Sequence, residues 1–347
     1  MADRPNHTTE QLGSGLVDLA TKVAFLRQPS SYPEGAAAVD VKETHMSWVF
    51  LTERYAYKLK KPVRHDFLDF STVALRHNSC EEELRLNRQL APNVYLAVVP
   101  LTATPRGSLQ LGGPGIPVDW LVKMRRLPES RTLDNAIRAG SLLPHDVRDL
   151  VDLLDGFYRS APRIAISGED YRRKMRDGIE NNRVELARYC PSSMGSLIQR
   201  VSDAQARYIA THMETLERRA AEENIVEGHG DLRPEHVFLG PPPQIIDCLE
   251  FNRDFRILDV ADDLALLAME CEQLGAPEVG RAFFRMPALL DTPPALITFY
   301  KSYRAALRAK LAIWHLKDGH VADPSVWENR ALRYLTLAEY EQDGAMP

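Results

Sequence analysis

The sequence predicts an α+β chain of two lobes, a small antiparallel sheet followed by a larger, mostly helical body. Between Ala38 and Val63, three runs rich in β-branched and aromatic residues follow one another across short polar breaks. Beyond Leu127 the apolar residues recur at helical spacing instead. Within that helical half one stretch, Ile225 to Phe251, reverts to short extended runs around polar turns. A chain of 347 residues has room for two packed lobes.

Taken in order, Thr8 to Gln11 has the spacing of a capping box and opens an amphipathic helix through about Leu26, which Pro29, Pro33 and Gly35 end. The runs AVDVKE, SWVFLT and YAYKLKKPV then form a strand meander. A helix from about Thr72 to Leu90 follows, and two more strands, VYLAVVPL and VDWLVKMRRL, flank the Gly/Pro-rich stretch Pro105 to Pro117. Pro128 and Glu129 mark a turn and the lobe boundary. The expected division is an N-terminal helix and linker at 1–37, a five-stranded sheet with one helix at 38–128, and a helical lobe at 129–347 that carries the loop 226–251. Val147, Leu150, Val151, Leu154 and Phe157 form an inward-facing stripe, as do Leu296, Tyr300, Tyr303, Leu307, Leu311 and Trp314.

Composition narrows the function without choosing it. With 44% hydrophobic and 26% charged residues and a formal net charge of -5, nothing in bulk electrostatics draws the chain to nucleic acid. No apolar run approaches the roughly 20 residues that span a bilayer, and no charged-then-apolar leader opens the chain, so no membrane and a cytoplasmic location are expected. The four cysteines lack CxxC spacing and read as reduced thiols.

The chemistry concentrates in the loop. His229-Gly230-Asp231 is followed by His236, and Asp247 ends the apolar run Gln244-Ile245-Ile246. A lone HGD tripeptide is more often a turn than a site, but a second aspartate on a strand at this separation favours function. HGDLRPEH resembles the HxDxxxxN catalytic loop of the aminoglycoside phosphotransferase and choline kinase-like family, which has a protein-kinase-like fold. IIDCLEF is similar to that family's metal aspartate, and Asp259 to Ala265 to its downstream DxxxDLA helix start.

The resemblance covers about residues 38 to 345 and implies an ATP- and Mg²⁺-dependent kinase acting on a small-molecule hydroxyl. Asp231 would be the base, with His229 and Arg233 beside it in the catalytic loop. Asp247 would hold Mg²⁺, with Glu250 and His236 as further candidate ligands. Lys58 or Lys60, two residues apart on one strand face, would hold phosphates, with Glu83 as the lysine's partner. Thr44 and Ser47 would cover the phosphates, and Met124, Arg126 and Leu127 would border the adenine.

Two features depart from the family pattern. His236 stands where an asparagine is usual and could bind metal, orient Asp231 or contact phosphate, and the loop Thr44-His45-Met46-Ser47 has no glycine. The pattern most resembles the kinase-like half of bacterial fusions with a P-loop ATPase, which raises a separate ATPase as a partner. The rival readings are a nucleotide-binding pseudokinase that regulates a partner, a metal-dependent phosphohydrolase and a protein kinase. Asp259 and Asp263 read as helix-capping carboxylates, Lys301, Arg304 and Arg308 as cations salt-bridged to neighbouring acids, and Cys248 as a small buried residue. If those cations instead face a substrate, the acceptor is anionic or neutral.

Overall fold

A computed structural model describes residues 17–344 apart from 66, 106 and 319–322. The described residues form two compact units, one drawn from Met1–Arg131 with Gln244–Arg253, the other from Thr132–Pro243 with Asp254–Pro347. The segment 244–253, expected with the helical part, therefore groups with the sheet. The capping box at Thr8 to Gln11 lies outside the described residues.

In the first unit, helix α1 (Leu19–Leu26) starts where the Asp18 carboxylate accepts the Thr21 N–H at 2.7 Å. Strands β1 (Asp40–Glu43), β2 (Ser47–Leu51) and β3 (Tyr55–Lys60) make the meander, α2 (Val73–Asn87) follows, and β4 (Tyr95–Ala103), β5 (Leu109–Leu111) and β6 (Ile116–Arg125) complete an antiparallel sheet of order β1-β2-β3-β6-β4-β5. The sheet has six strands rather than the expected five. The extra strand, β5, lies inside the Gly/Pro stretch, where Gly107 and Gly112 adopt positive φ and turn the chain tightly on either side of three pairing residues. A strand that short shows no alternation in the sequence.

Period-2 alternation divides the sheet between two cores. Tyr57 and Leu59 of β3 join Val23 and Leu26 of α1, with Phe50, Leu101 and Leu121. Ala56 of β3 joins Cys80 and Leu84 of α2, with Val122 and Met124. Helix α2 buries Arg76, Cys80, Glu83, Leu84 and Asn87, a face with three polar members. Burial pushes the Cys80 thiol up to about 12.

One buried charge ties three of these elements. Asp119 of β6 receives a bidentate fork from Arg76 of α2, at 2.8 Å through both Nε and Nη2, and the Lys22 ammonium of α1 at 2.8 Å. Lys22 also donates to the Val118 carbonyl at 3.0 Å, and Arg76 to the Phe70 carbonyl at 2.8 Å.

The second unit contains α3 (Leu133–Arg138), α4 (Pro144–Ser160), α5 (Gly168–Tyr189), α6 (Gly195–Thr211) and α7 (Met213–Ala221). After these come the paired strands β7 (Ile225–Glu227) and β8 (Ile257–Asp259), then α8 (Val260–Gln273), α9 (Pro277–Phe283), α10 (Pro294–Trp314) and α11 (Pro324–Gly344). Its core packs Leu186, Leu197, Ile198 and Val201 with Leu266, Met269, Ala305, Ala309 and Leu335. The strand β7 delivers the chain into the HGD loop. Among the described residues no helix is long and apolar enough to cross a membrane.

Removing the shared carboxylate by Asp119→Ala strands two buried cations, so the variant should lose about 3–5 kcal/mol of unfolding free energy. Urea titration measures it, and a loss below about 1 kcal/mol would reject the tie between α1 and α2.

Candidate active site

The HGD loop is positioned from below by one carboxylate. Asp263, in the first turn of α8, accepts the backbone N–H of His229 at 2.7 Å and of Gly230 at 3.1 Å, and its Oδ2 also accepts the Tyr158 hydroxyl at 2.9 Å. This convergence has two local requirements. Gly230 takes φ 85° so that consecutive N–H groups turn toward one acceptor. A Cβ at Gly228 would stand 2.6 Å from Asp263 Oδ2. Asp259 and Asp263 were both expected to cap α8; Asp259 does so, accepting the Ala261 N–H at 2.8 Å, whereas Asp263 turns to the loop.

Within the loop the expected catalytic residues divide. The Asp231 side chain keeps 28% of its surface exposed. His229 is wholly buried, and its Nδ1 accepts the Asp231 N–H at 3.3 Å, so it shapes the loop from inside. Arg233 reaches Asp231 Oδ2 through Nε at 3.1 Å, Glu235 through Nη1 and His236 Nε2 through Nη2 at 2.9 Å. Since His236 Nδ1 donates to the Asp231 carbonyl at 2.9 Å, its Nε2 is the acceptor for Arg233. In this arrangement His236 orients the arginine, and a guanidinium occupies the nitrogen that a metal would need. Burial works to raise the Asp231 carboxyl, but Arg233, His236, Arg308 and His229 outweigh it and hold the group below its ordinary value. Asp231 is therefore a carboxylate at neutral pH.

The sheet-bearing unit assembles a second constellation. Glu83 of α2, with no exposed surface, accepts Lys58 Nζ on Oε1 at 2.9 Å and Lys60 Nζ on Oε2 at 2.6 Å. Lys58 continues to Asp247 Oδ1 at 2.9 Å, and Lys60 to Glu250 Oε1 at 2.5 Å. The two lysines, expected to share a face, thus bind the same glutamate and differ in their second partner. Lys60 is fully buried, and its partner Glu250 nearly so; Lys58 is 16% exposed, and its partner Asp247 is 44% exposed. Burial disfavours the Lys58 charge, but Asp247, Glu83 and Glu250 more than compensate and raise its pKa well above the usual value. Burial likewise opposes ionisation of Glu83, and Lys58 with Lys60 overcomes it, leaving the carboxyl depressed.

Asp247 adopts φ 64°, a left-handed conformation that aspartate tolerates better than most side chains. Two residues unnoticed in the sequence hold it there: the Tyr95 hydroxyl accepts the Asp247 N–H at 3.1 Å, and Asn87 Oδ1 accepts the Cys248 N–H at 2.9 Å. Neither residue was singled out, and only their placement on α2 and at the head of β4, within hydrogen-bond reach of the Asp247 segment, gives them a role.

The remaining expected residues are committed locally. Thr44 Oγ1 accepts the Ser47 N–H at 3.0 Å and donates to the Ser47 carbonyl at 3.1 Å, closing a tight hairpin. Met124 is buried in the sheet core, with Leu127 packed against it. Arg126 donates to the Thr52 carbonyl at 2.8 Å, and its own N–H to the Arg54 carbonyl at 2.9 Å. Lys301, Arg304 and Arg308 pair with Glu272, Asp262 and Glu270.

Among the described residues no three His, Cys, Asp or Glu side chains gather as a metal-binding group. Of the expected ligands, His236 is engaged by Arg233 and Glu250 by Lys60. Asp247 still suits Mg²⁺, which takes one or two carboxylates and draws its other ligands from water and phosphate. Its carboxylate is the exposed member of the network.

The choline/ethanolamine kinase family protein from Mesorhizobium loti aligns over 94% of this chain and 98% of its own, with a TM-score of 0.53 and 13% identity. The GDP complex of a variant of aminoglycoside 2'-phosphotransferase-IIIa gives 0.56 at 14% identity, over 94% and 99%. Choline kinase from Cryptosporidium parvum Iowa II gives 0.55 at 12%, over 94% and 98%. The chain has the protein-kinase-like fold of these small-molecule kinases. In sequence, this kinase-like chain is 34% identical over 289 residues to Uncharacterized protein Rv2004c of Mycobacterium tuberculosis and, with the same figures, to Uncharacterized protein Mb2027c of Mycobacterium bovis. The match takes in 81% of this chain and 56% of each relative, so the chain spans about half the length of the curated relatives it matches. No protein-family model matches it.

The network predicts unequal roles for two neighbouring lysines of the kinase-like sheet. Lys60→Met removes a fully buried cation from between two carboxylates, Glu83 and Glu250, and should cost about 3–5 kcal/mol of stability. Lys58→Met leaves Glu83 bonded to Lys60 and withdraws a cation from Asp247, which is 44% exposed, and should cost under about 1.5 kcal/mol. Equal losses in urea titrations of the two variants would refute the division.

Proposed function

We propose that the chain transfers the γ-phosphoryl group of ATP to a hydroxyl of a small molecule, with Mg²⁺. The observation that carries this reading is the Lys58 ammonium held between buried Glu83 and exposed Asp247, at 2.9 Å from each. A cation fixed on one side and offered on the other suits phosphate oxygens. Asp231 supports it, as an accessible carboxylate kept ionised on a loop whose backbone is anchored twice.

In this reading Lys58 binds the triphosphate, Glu83 fixes its direction and Asp247 contributes a carboxylate oxygen to the cation. Mg²⁺, when bound, neutralises phosphate charge. Asp231 orients the acceptor hydroxyl and takes its proton as the acceptor oxygen bonds to phosphorus and the bond from phosphorus to the bridging oxygen of ADP breaks. Arg233, steered by His236, offsets negative charge beside Asp231. Neither Glu250 nor His236 is assigned to metal here. The proposed location is cytoplasmic, and a separate P-loop ATPase remains a proposed partner on the strength of the sequence resemblance.

ADP release by purified protein with Mg-ATP and an acceptor panel tests the reading. Asp231→Asn should lower turnover by about 10²-fold or more while leaving Mg-ATP affinity nearly unchanged, and Asp247→Ala should weaken Mg-ATP binding itself. Mg-ATP binding without turnover would instead favour a nucleotide-regulated role, for which the closed, glycine-free Thr44–Ser47 hairpin is the supporting feature. Because the cations around Asp231 depress its pKa, its base form persists as pH falls. The acid limb of kcat/KM should lie below the ordinary aspartate range near about 4, and a limb near neutrality would remove Asp231 as the base.

A further inference from the structure

The surroundings of Asp231 differ in how far their cations are already spent. Arg233 uses Nε on Asp231, Nη1 on Glu235 and Nη2 on His236. Arg304 of α10 closes its fork on Asp262, with Nε and Nη2 each at 2.7 Å, and its Nη1 lies 3.4 Å from the Gly230 carbonyl. That contact lays this face of α10 against the HGD loop. Arg308 follows one turn later on the same face, where its charge is felt at Asp231. Only its Nε meets a carboxylate, Glu270 at 3.2 Å.

Glu270 is itself shared, accepting the Tyr334 hydroxyl at 2.7 Å on the same oxygen, and the Arg308 guanidinium lies 5.6 Å from the Tyr334 ring centroid. Beyond Glu270 and the Tyr334 hydroxyl, the Arg308 guanidinium donates to no further carboxylate or carbonyl among the described residues, and its side chain is 11% exposed. The nearby carboxylates are each already met by a donor: Arg233 holds Glu235, Arg304 holds Asp262, Arg256 holds Glu227, and Asp263 accepts two N–H groups and a hydroxyl. A planar guanidinium fork matches the oxygens of a carboxylate or phosphate and repels an ammonium group.

We propose that the phosphate acceptor is an anionic hydroxy compound, bearing a carboxylate or phosphate group that the Nη fork of Arg308 binds beside Asp231. This rests on the phosphotransferase reading and names its substrate class. Compounds that share a hydroxylated skeleton and differ in charge test it: D-gluconate and D-glucose 6-phosphate against D-glucose and D-glucosamine, each with Mg-ATP and a readout of phosphorylated product.

The anionic members should be turned over with a kcat/KM about tenfold or more above the neutral and cationic ones. Arg308→Gln should raise acceptor KM about 10- to 100-fold with ATP KM unchanged, and Arg308→Lys, which keeps the charge and loses the fork, should fall between. Circular dichroism and thermal melting establish that both variants fold. Transfer confined to D-glucose or D-glucosamine overturns the acceptor class and leaves the phosphotransferase standing. Calorimetric binding of D-gluconate or D-glucose 6-phosphate that is lost in Arg308→Gln, without phosphorylation of any compound, keeps the anion site and overturns the phosphotransferase. Absence of both overturns both.

Discussion

A glutamate with no contact with water and an ammonium on each of its oxygens is the constraint from which the sheet-bearing unit is organised. Burying Glu83 alone would be prohibitive, because a carboxylate loses its hydration and gains nothing in return. Lys58 and Lys60 supply that return through charge-assisted bonds of 2.9 and 2.6 Å. The arrangement works only if α2 lies across the face of β3 on which residues 58 and 60 both project. The lysines then carry the constraint outward to Asp247 and Glu250, which is why 244–253 groups with the sheet although the chain reaches it from the helical unit. The Asp119 tie sets the other end of α2 against α1 and β6 in the same way. Helix α2 is therefore placed by two buried ionic contacts as much as by its apolar residues.

In the helical unit Asp263 does with backbone donors what Glu83 does with lysines. Its carboxylate replaces the water that two successive loop N–H groups would otherwise require, and it also accepts the Tyr158 hydroxyl. The loop can leave Asp231 accessible because its backbone is satisfied from beneath. Glycine at 228 and 230 is then a matter of geometry: one position needs the space, the other the backbone conformation.

Much of this was legible, unevenly. HGD and Asp247 stand out because polar residues interrupt apolar runs, although the strand expected to carry Asp247 ends at Ile245, and the pairing of Lys58 with Glu83 was legible through the family resemblance. What the sequence concealed is polar residues that act through backbone groups. Asp263 sits in a stretch of aspartates that all look like helix caps, and only the fold separates the one that caps from the one that anchors. Asn87 and Tyr95 hold the Asp247 segment through single hydrogen bonds to main-chain N–H groups, which leave no spacing to recognise. Helix α2 shows little apolar period because Arg76, Glu83 and Asn87 occupy its buried face. The sixth strand was hidden for another reason, since three pairing residues between glycine turns are too few to establish a period of two.

The duplication at positions 58 and 60 resolves a physical difficulty in using a buried ion pair for binding. If a single lysine neutralised Glu83, drawing it toward a phosphate would leave the glutamate as an uncompensated charge in the interior, and that penalty would count against ligand affinity. With Lys60 fixed between Glu83 and Glu250, the glutamate retains a partner whatever Lys58 does. Asp247, the other group Lys58 would release, is the one carboxylate of the network with substantial access to water, so its release is also cheap. The fully buried lysine has no route to a ligand and stabilises the site. The partly exposed one is thereby free to change partners, and the network separates the charge that holds the structure from the charge available for binding.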